Sequence, residues 1–257
     1  MMPRRCRRAV ALAIALLGCI ARAGFMRLCR PLTPMDRALW LQQSARSVLA
    51  SVEVRLSVEG TAPARGLVVS NHLSYLDIAA YAAAMPCAFV SKIEVSRWPV
   101  FGLTARVGGT LFLDRGRRSS AEAVALEIAG RLSLSIPILL FPEGTSTNGL
   151  RLLRFHPTLF EPAVAAAAPI TAAAIRYRAA DIPERDLCWF GDDAFLKHLW
   201  KTLGVRGLHA ELRFGEPRTY PDRRAAAGAA QADVERMRAN EAGVIPVWTP
   251  DEAVATP

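Results

Sequence analysis

The chain has 257 residues, of which 52% are hydrophobic and 21% are charged. This composition is typical of a folded protein with a sizeable core, and the length favours one main domain. Residues 1–30 contain seven arginines and no acidic residue, so they hold seven of the nine net positive charges. Because the basic surface of a nucleic-acid binder should lie on its folded body, this distribution excludes nucleic acid as a partner.

The cysteines of the chain predict reduced thiols in a cytoplasmic protein. Their number is odd, so they do not form a disulfide framework. No CxxC pair and no Cys/His cluster has the spacing of zinc ligands, and no metal is expected. The five cysteines are Cys6, Cys19, Cys29, Cys87 and Cys188.

The first 30 residues combine a basic start with an apolar run from Ala9 to Ala21. As a helix this run would rise about 20 Å, less than the roughly 30 Å of a bilayer's hydrocarbon core. We expect a membrane anchor that spans with the help of snorkelling arginines or lies in the plane of the membrane. Two processing alternatives are a secretory signal segment and a lipoprotein-like site, "LLGC" (16–19), with lipid on Cys19.

The rest of the chain alternates between helical and strand patterns. Helices are predicted over 36–55, 75–84, 97–108 (interrupted by Pro99), 119–135, 158–168, 195–204 and 221–241. Strands are predicted over 65–70, 87–92, 109–115, 136–144, 169–177 and 209–217. The alternation predicts an α/β domain, residues 31–245, with a mixed, largely parallel sheet flanked by helices. Residues 246–257 are expected to form an irregular tail.

Three polar clusters follow predicted strands, where reactive groups gather in α/β folds. They are Asn71-His72, Asp114-Arg115 and Glu143-Gly144-Thr145. The chain contains no G-x-G-x-x-G sequence, no Walker loop and no G-x-S-x-G elbow. Nucleotide binding and α/β-hydrolase chemistry therefore lack their usual support.

The stretch "SNHLSYLD" (70–77) places His72 five positions before Asp77, where a strand turns into a helix. A histidine can take a proton from an alcohol or water near neutral pH. A carboxylate on its far nitrogen would fix the tautomer and stabilise the imidazolium. The alternative is a capping box between Ser74 and Asp77, with His72 an ordinary loop residue. Both interpretations can hold together, since Asp77 has two oxygens.

The segments "NHLSYLD", "GTLFLDR" and "FPEGTS" occur in that order, each after a strand, and "PIT" opens the next strand. This ordered set resembles the four-block pattern of the glycerolipid acyltransferase family, the bacterial 1-acylglycerol-3-phosphate acyltransferases, over residues 65–177. A further segment, "CWFGDDAFLKHLW" (188–200), is similar to one in bacterial lysophospholipid and lyso-ornithine-lipid acyltransferases.

The resemblance implies an enzyme in which His72 is the base and Asp77 orients it. His72 would deprotonate the hydroxyl of a lysolipid, which attacks the thioester of acyl-CoA or acyl-carrier protein, with no metal, cofactor or covalent enzyme intermediate. The favoured acceptor is 1-acyl-sn-glycerol-3-phosphate, which gives phosphatidic acid. The expected location is the cytoplasmic face of the inner membrane, with membrane lipids as partners.

The resemblance also implies an acceptor site. Arg115 takes the place of the arginine that contacts the acceptor phosphate in the family. Glu143, Gly144 and Thr145 match the third block, whose residues bind the acceptor, and Lys92 is a further candidate phosphate contact.

The third block departs from the family pattern E-G-T-R, because Ser146 follows Thr145. The change removes a guanidinium that could bind phosphate with two hydrogen bonds. Arg151 or Arg154 could compensate from the adjacent loop. Otherwise the acceptor has another head group, as in a lyso-ornithine-type lipid. A different class of function is a non-catalytic membrane lipid-binding protein.

Overall fold

A computed structural model describes residues 3–98, 101–114, 118–134, 136–180, 182–239 and 247–248. The helices in this part of the chain are α1 (Arg4–Cys29), α2 (Pro34–Ser51), α3 (Leu76–Ala84), α4 (Phe101–Val107), α5 (Arg118–Leu132), α6 (Glu161–Ala165), α7 (Phe195–Thr202) and α8 (Arg223–Ala239). The strands are β1 (Arg55–Glu59), β2 (Leu67–Ser70), β3 (Ala88–Lys92), β4 (Leu111–Leu113), β5 (Ile138–Leu140), β6 (Ile170–Arg178), β7 (His209–Phe214) and β8 (Val247–Trp248). Short 3-10 turns cover Ile93–Arg97, Pro157–Phe160 and Glu184–Asp186.

The strands form one sheet in the order β4-β3-β5-β2-β6-β7-β1-β8. Strands β2 to β6 all run in the same direction, while β7 is antiparallel to β6 and β8 is antiparallel to β1. The predicted mixed, largely parallel sheet is therefore confirmed. Because β2 lies between β5 and β6 and runs parallel to both, the loops that follow these three strands lie next to each other at the C-terminal ends of the strands.

Helices cover both faces of the sheet, and alternate residues of each central strand contribute to different cores. In β2, Val68 packs on the side of α2 and α3, whereas Leu67 and Val69 pack on the side of α5, α6 and α8. In β6, Ile175 and Tyr177 face the α2 and α3 side. This alternation places the end of β6 beneath the start of α3.

The predicted helix over 36–55 is wrong at its C-terminal end, because α2 ends at Ser51 and β1 follows it. Glu53 adopts a left-handed backbone conformation with φ of 58°. The amide of Val54 donates to the carbonyl of Leu49 at 3.0 Å, which closes a Schellman turn. The apolar spacing continues past this turn, so periodicity alone does not mark it.

The predicted irregular tail is also wrong at Val247 and Trp248, which pair with β1 as the short strand β8. Without them β1 would be an edge strand with open hydrogen-bonding groups, which favours the addition of a strand. The other residues of the tail lie outside the described residues.

Helix α1 is 26 residues long, about 39 Å, and so exceeds the predicted apolar run. Within the described residues it is the one helix long and apolar enough to cross a membrane by length and composition. It packs on α2 through Cys19 and Ala23, and the indole nitrogen of Trp40 donates to the carbonyl of Cys19 at 3.1 Å. Its outer face exposes a stripe of large apolar side chains: Val10, Ile14, Leu17, Phe25 and Leu28.

Candidate active site

His72 and Asp77 lie at the C-terminal end of the central strand β2, where α3 begins. The Nδ1 atom of His72 is 2.6 Å from the Oδ2 atom of Asp77. The same Oδ2 atom accepts hydrogen bonds from the amides of Leu73 at 2.7 Å and Ser74 at 3.0 Å. Asp77 therefore binds the histidine and accepts from the amide of Ser74, which is one half of a capping box. The amide of Asp77 donates to the backbone carbonyl of Ser74 at 3.1 Å and not to its side chain, so the predicted capping box forms only in part.

Tyr177 completes the hydrogen bonding of this carboxylate from β6. Its hydroxyl donates to the Oδ1 atom of Asp77 at 2.5 Å, and both side chains are fully or almost fully buried. Burial raises the pKa of Tyr177 well above its ordinary value, and the neighbouring charge of Asp77 adds to the shift. The hydroxyl therefore stays protonated and donates a hydrogen bond to Oδ1. The second oxygen of the carboxylate, Oδ2, has three other donors.

The imidazole of His72 is held on its face as well as at Nδ1. Its ring stacks on Phe141, with 4.0 Å between the ring centroids and an interplanar angle of 12°. The carbonyl of His72 accepts a hydrogen bond from the amide of Thr147 at 2.9 Å. About a fifth of the side chain is exposed (21%), and Nε2 is the nitrogen left to face a substrate.

Glu143 holds the loop that carries His72. Its Oε1 atom accepts from the amide of His72 and its Oε2 atom from the amide of Leu153, both at 2.8 Å. Burial raises the pKa of Glu143, although these two amides act in the opposite direction. Since both carboxylate oxygens have backbone partners, the structure gives Glu143 a positioning role. Its predicted contact with the acceptor stays a prediction.

Asn71 fixes the same loop against β6. Its side-chain oxygen accepts from the amide of Ile175 at 2.9 Å, and its side-chain nitrogen donates to the carbonyl of Ile175 at 3.1 Å. Through these two bonds the buried side chain of Asn71, the residue after β2, continues the pairing of β2 with β6.

The other predicted acceptor residues lie in the segments that end or follow neighbouring strands. Lys92 ends β3 with an exposed side chain, and β5 separates β3 from β2, so about 10 Å lies between the two strands. Gly144 has a φ of 77°, a turn that favours glycine, and Thr145 is exposed beside it. Arg115 lies outside the described residues.

The buried thiol of Cys188 is a poor nucleophile. Cys188 precedes Trp189, whose amide donates to the carbonyl of Leu73 at 2.8 Å. Burial raises the pKa of Cys188 to about 12, so little thiolate is present near neutral pH. Among the described residues, no three His, Cys, Asp or Glu side chains are grouped as a metal site.

Sequence reasoning identified His72 and Asp77 but did not identify Tyr177 or Phe141, or the positioning role of Glu143. The hydrogen bond from Tyr177 to Asp77 joins residues 100 positions apart. The one signal in the sequence is alternation, which places Tyr177 on the same face of its strand as Ile175.

Comparison with known proteins gives the family. The chain is 37% identical over 205 residues to the lyso-ornithine lipid O-acyltransferase of Pseudomonas aeruginosa, and the match covers 79% of each protein. A family model described as Acyltransferase matches residues 52–176. The chain belongs to the acyltransferase family.

Two further comparisons extend this result. The acyltransferase is 31% identical over 184 residues to the 1-acyl-sn-glycerol-3-phosphate acyltransferase of Neisseria meningitidis, covering 70% of this chain and 72% of that one. Its fold is similar to the crystal structure of the 1-acyl-sn-glycerophosphate acyltransferase of Thermotoga maritima, with a TM-score of 0.65 at 17% identity. That match covers 93% of this chain and 100% of the other, and at this identity it supports the fold alone.

Proposed function

We propose that this acyltransferase transfers an acyl chain from a thioester, acyl-CoA or acyl-carrier protein, to the free hydroxyl of a lysolipid. The observation that carries the proposal is the 2.6 Å contact between His72 and a buried Asp77, with Nε2 left to face a substrate. The names of the relatives support the acceptor class, since they act on lyso-ornithine lipid and on 1-acyl-sn-glycerol-3-phosphate.

In the proposed reaction the Nε2 atom of His72 takes the proton of the lysolipid hydroxyl as its oxygen attacks the thioester carbonyl carbon. Asp77 stabilises the imidazolium that forms, and Tyr177 holds the far oxygen of Asp77 in place. The tetrahedral intermediate then collapses, the carbon–sulfur bond breaks, and the thiolate takes the proton from His72. The products are the diacyl lipid and a free thiol, and the chain supplies no covalent intermediate, metal or cofactor.

The direct test is acyl transfer by purified protein from a labelled acyl donor to a panel of lysolipids. His72→Ala should lower kcat by about 10²–10⁴-fold, the usual contribution of a general base. His156→Ala is the matched control, because His156 is exposed and its backbone amide bond to the carbonyl of Pro142 remains. Near-native turnover by folded His72→Ala would refute the mechanism, and no turnover by the wild type would favour a non-catalytic lipid-binding protein.

A phosphomonoester acceptor, 1-acyl-sn-glycerol-3-phosphate, is supported by exposed basic side chains at the end of β3 and in the loop after β5, and by the family resemblance at Arg115. Lys92 ends β3 with an exposed side chain, and Arg115 occupies the family's phosphate-contact position in the sequence. Arg151 and Arg154 are also exposed in the loop after β5. In the panel of lysolipids, turnover of this acceptor is compared first with turnover of a zwitterionic lysolipid.

Helix α1 anchors the enzyme along the membrane surface on its cytoplasmic side, where acyl-CoA and acyl-carrier protein occur. The guanidinium of Arg8 is buried and donates to the carbonyls of Leu203 at 3.1 Å and Val205 at 2.5 Å, and it pairs with Glu53 at 2.6 Å. Because this end of α1 is fixed to the folded body, a crossing of the bilayer would draw polar groups of the body into hydrocarbon. The exposed apolar stripe instead favours insertion into one face of the bilayer.

The buried position of Cys19 argues against lipidation at that residue. Its side chain packs against α2, with its sulfur 4.0 Å from the carbonyl of Ser44. Cleavage before Cys19 would also remove Arg8 and its contacts with the body. Recovery of a mature chain that begins at a lipidated Cys19 would overturn the proposed cytoplasmic anchor.

A further inference from the structure

An ion pair between Arg238 and Glu184 joins the C-terminal end of α8 to the segment after β6. A guanidinium nitrogen of Arg238 is 2.8 Å from the Oε2 atom of Glu184, and 13% and 22% of the two side chains are exposed. A charge pair that is largely removed from water is favourable only if its other hydrogen-bonding groups also have partners. Both side chains have such partners, and the partners are backbone groups near the proposed catalytic pair.

The guanidinium of this ion pair binds two segments that hold the loop of His72. It donates to the carbonyl of Gly149 at 2.8 Å and to the carbonyl of Ile175 at 2.5 Å. Ile175 is the residue of β6 that forms two hydrogen bonds with the side chain of Asn71. Gly149 lies two residues after Thr147, whose amide donates to the carbonyl of His72. One side chain therefore joins the loop after β5 to β6, beside the groups that fix this loop.

The carboxylate of the ion pair holds the backbone of Tyr177. The Oε1 atom of Glu184 accepts from the amide of Tyr177 at 2.9 Å. The pairing of β2 with β6 stops at Ser70 and Ala173, so this amide lies beyond the paired part of β6 and binds a side chain instead. The hydroxyl of the same tyrosine donates to Asp77. The ion pair thus fixes the stretch of backbone from which that hydroxyl extends.

Gly149 is packed between the ion pair and the residue after His72. Its φ is 76°, in the region that favours glycine. A Cβ atom added there would lie 3.1 Å from a guanidinium nitrogen of Arg238, 3.2 Å from a carboxylate oxygen of Glu184 and 3.3 Å from the side chain of Leu73. The ion pair and Leu73 therefore lie on the two sides of one small residue, and a shift of the pair changes the packing beside His72.

We infer that the ion pair of Arg238 and Glu184 positions His72 and Asp77 for proton transfer, because it fixes the loop after β5 and the end of β6 to each other. Arg238 and Glu184 are positioning residues, since they act through backbone groups and through Tyr177. The inference rests on the proposed acyl transfer and adds two residues to its machinery. Loss of the pair should lower kcat with little change in KM, because the base is displaced while the groups that bind the substrates remain.

The first test compares Arg238→Met with Arg213→Met in the full-length enzyme. Arg213 is a matched control at the same end of α8: 8% of its side chain is exposed, it pairs with Glu59 at 2.8 Å, and it donates to the carbonyl of Met237 at 2.8 Å. Methionine keeps the apolar stem and removes the guanidinium in both variants. Both should unfold at lower urea concentrations than the wild type.

Only Arg238→Met should lower kcat, by about 10- to 100-fold, since a misplacement of about 1 Å can cost 10²-fold in rate. KM for the acyl donor and for the lysolipid should change less than twofold. Arg213→Met should keep kcat within twofold of the wild type.

The second test uses glycines with similar backbone angles. Gly149→Ala is compared with Gly207→Ala, because Gly207 has a φ of 60° and an added Cβ would meet nothing within 4 Å. The strain at the backbone is thus similar, whereas only Gly149→Ala displaces the ion pair. Gly149→Ala should lower kcat at least fivefold, and Gly207→Ala should keep kcat within twofold. Where Arg238→Met does not fold, this comparison replaces it.

A spectroscopic measurement follows the catalytic pair directly. The proton NMR signal of the imidazole N–H between His72 and Asp77, identified by its loss in His72→Ala, should shift or broaden in Arg238→Met and Gly149→Ala. It should keep its wild-type position in the two controls, although their stability is lowered.

Three results would overturn the inference. An equal loss of kcat in the controls would indicate a general effect of lower stability. A raised KM with normal kcat would assign the ion pair to substrate binding, and an unchanged NMR signal in both Arg238→Met and Gly149→Ala would show that the catalytic pair is not displaced. If the wild type acylates no lysolipid, the proposed function fails, whereas the NMR comparison still tests whether the ion pair positions His72.

Discussion

Tyr177→Phe removes the hydroxyl that holds Asp77 and leaves the rest of the site in place. Tyr81→Phe is a control of the same kind, because both tyrosines are almost completely buried and each hydroxyl lies 2.5 Å from a polar partner. The partner of Tyr177 is the Oδ1 atom of Asp77, whereas that of Tyr81 is the hydroxyl of Ser70. The comparison separates the loss of a buried hydrogen bond from the loss of the group that holds Asp77, the proposed partner of the catalytic base.

The expected magnitudes follow from these contacts. A hydrogen bond to a charged partner contributes about 1.5–3 kcal/mol and a neutral one about 0.5–1.5 kcal/mol, so both variants should lose unfolding free energy, Tyr177→Phe the more. Asp77 keeps three N–H donors on Oδ2 in Tyr177→Phe and still faces His72. Its Oδ1 atom, however, loses the hydrogen bond that Tyr177 donates to it in a buried site. We expect kcat to fall about tenfold, which corresponds to about 1.4 kcal/mol of transition-state stabilisation.

The assay combines urea unfolding with kcat for one lysolipid at saturating concentrations of both substrates. Tyr81→Phe should lose stability but keep kcat within twofold of the wild type. An unchanged kcat in Tyr177→Phe, or an equal loss of kcat in Tyr81→Phe, would refute the reasoning.

Four further predictions concern the supports of the site, the anchor and the acceptor. Glu143→Gln should lower the unfolding free energy by about 1–3 kcal/mol and should also lower kcat. The reason is that only one of the two polar atoms of the new amide, its oxygen, can accept from a backbone N–H group. Wild-type values in urea unfolding and in turnover would contradict this prediction. Arg8→Ala should cost about 1.5–3 kcal/mol in urea unfolding, whereas Arg4→Ala, at an exposed site, should cost little. Deletion of residues 1–29 should move the protein into the soluble fraction on ultracentrifugation, while high salt releases the full chain only in part, because apolar burial is not screened. Ser146→Arg should increase kcat/KM for 1-acyl-sn-glycerol-3-phosphate relative to a zwitterionic lysolipid, and an unchanged ratio would indicate that another cation already supplies this charge.

Local features of the fold and the site could be predicted from the sequence. The strand-to-helix turn that brings His72 to Asp77 spans five residues, so spacing and residue type raised the pair as one of two interpretations, and the ordered set of motifs with its family resemblance favoured it. The alternation of strand and helix patterns was likewise sufficient to predict a mixed, largely parallel sheet flanked by helices. The end of α2 was predicted wrongly because the Schellman turn at Glu53 leaves the apolar spacing unchanged.

Contacts that depend on the order of strands in the sheet could not be predicted in this way. Glu143 reaches the amide of His72 across 71 positions, and Tyr177 reaches Asp77 across 100 positions. Each contact requires β5 or β6 to lie next to β2, and the sequence does not state which strands are neighbours. The proposed catalytic pair could therefore be predicted from the sequence, whereas the groups that hold it in place could be seen only from the order of strands in the sheet.

The position of β2 in the sheet explains how the pair of His72 and Asp77 is held from two sides. Its neighbour β5 brings Glu143 to the backbone of His72, and its neighbour β6 brings Tyr177 to the carboxylate of Asp77. Both supports depend on the order of strands in the sheet. The arginines that could meet an acceptor's head group, Arg151 and Arg154, are instead exposed in the loop after β5. Substitutions there can change the charge offered to a head group without removing either support, so acceptor preference and proton transfer should be separable by mutation.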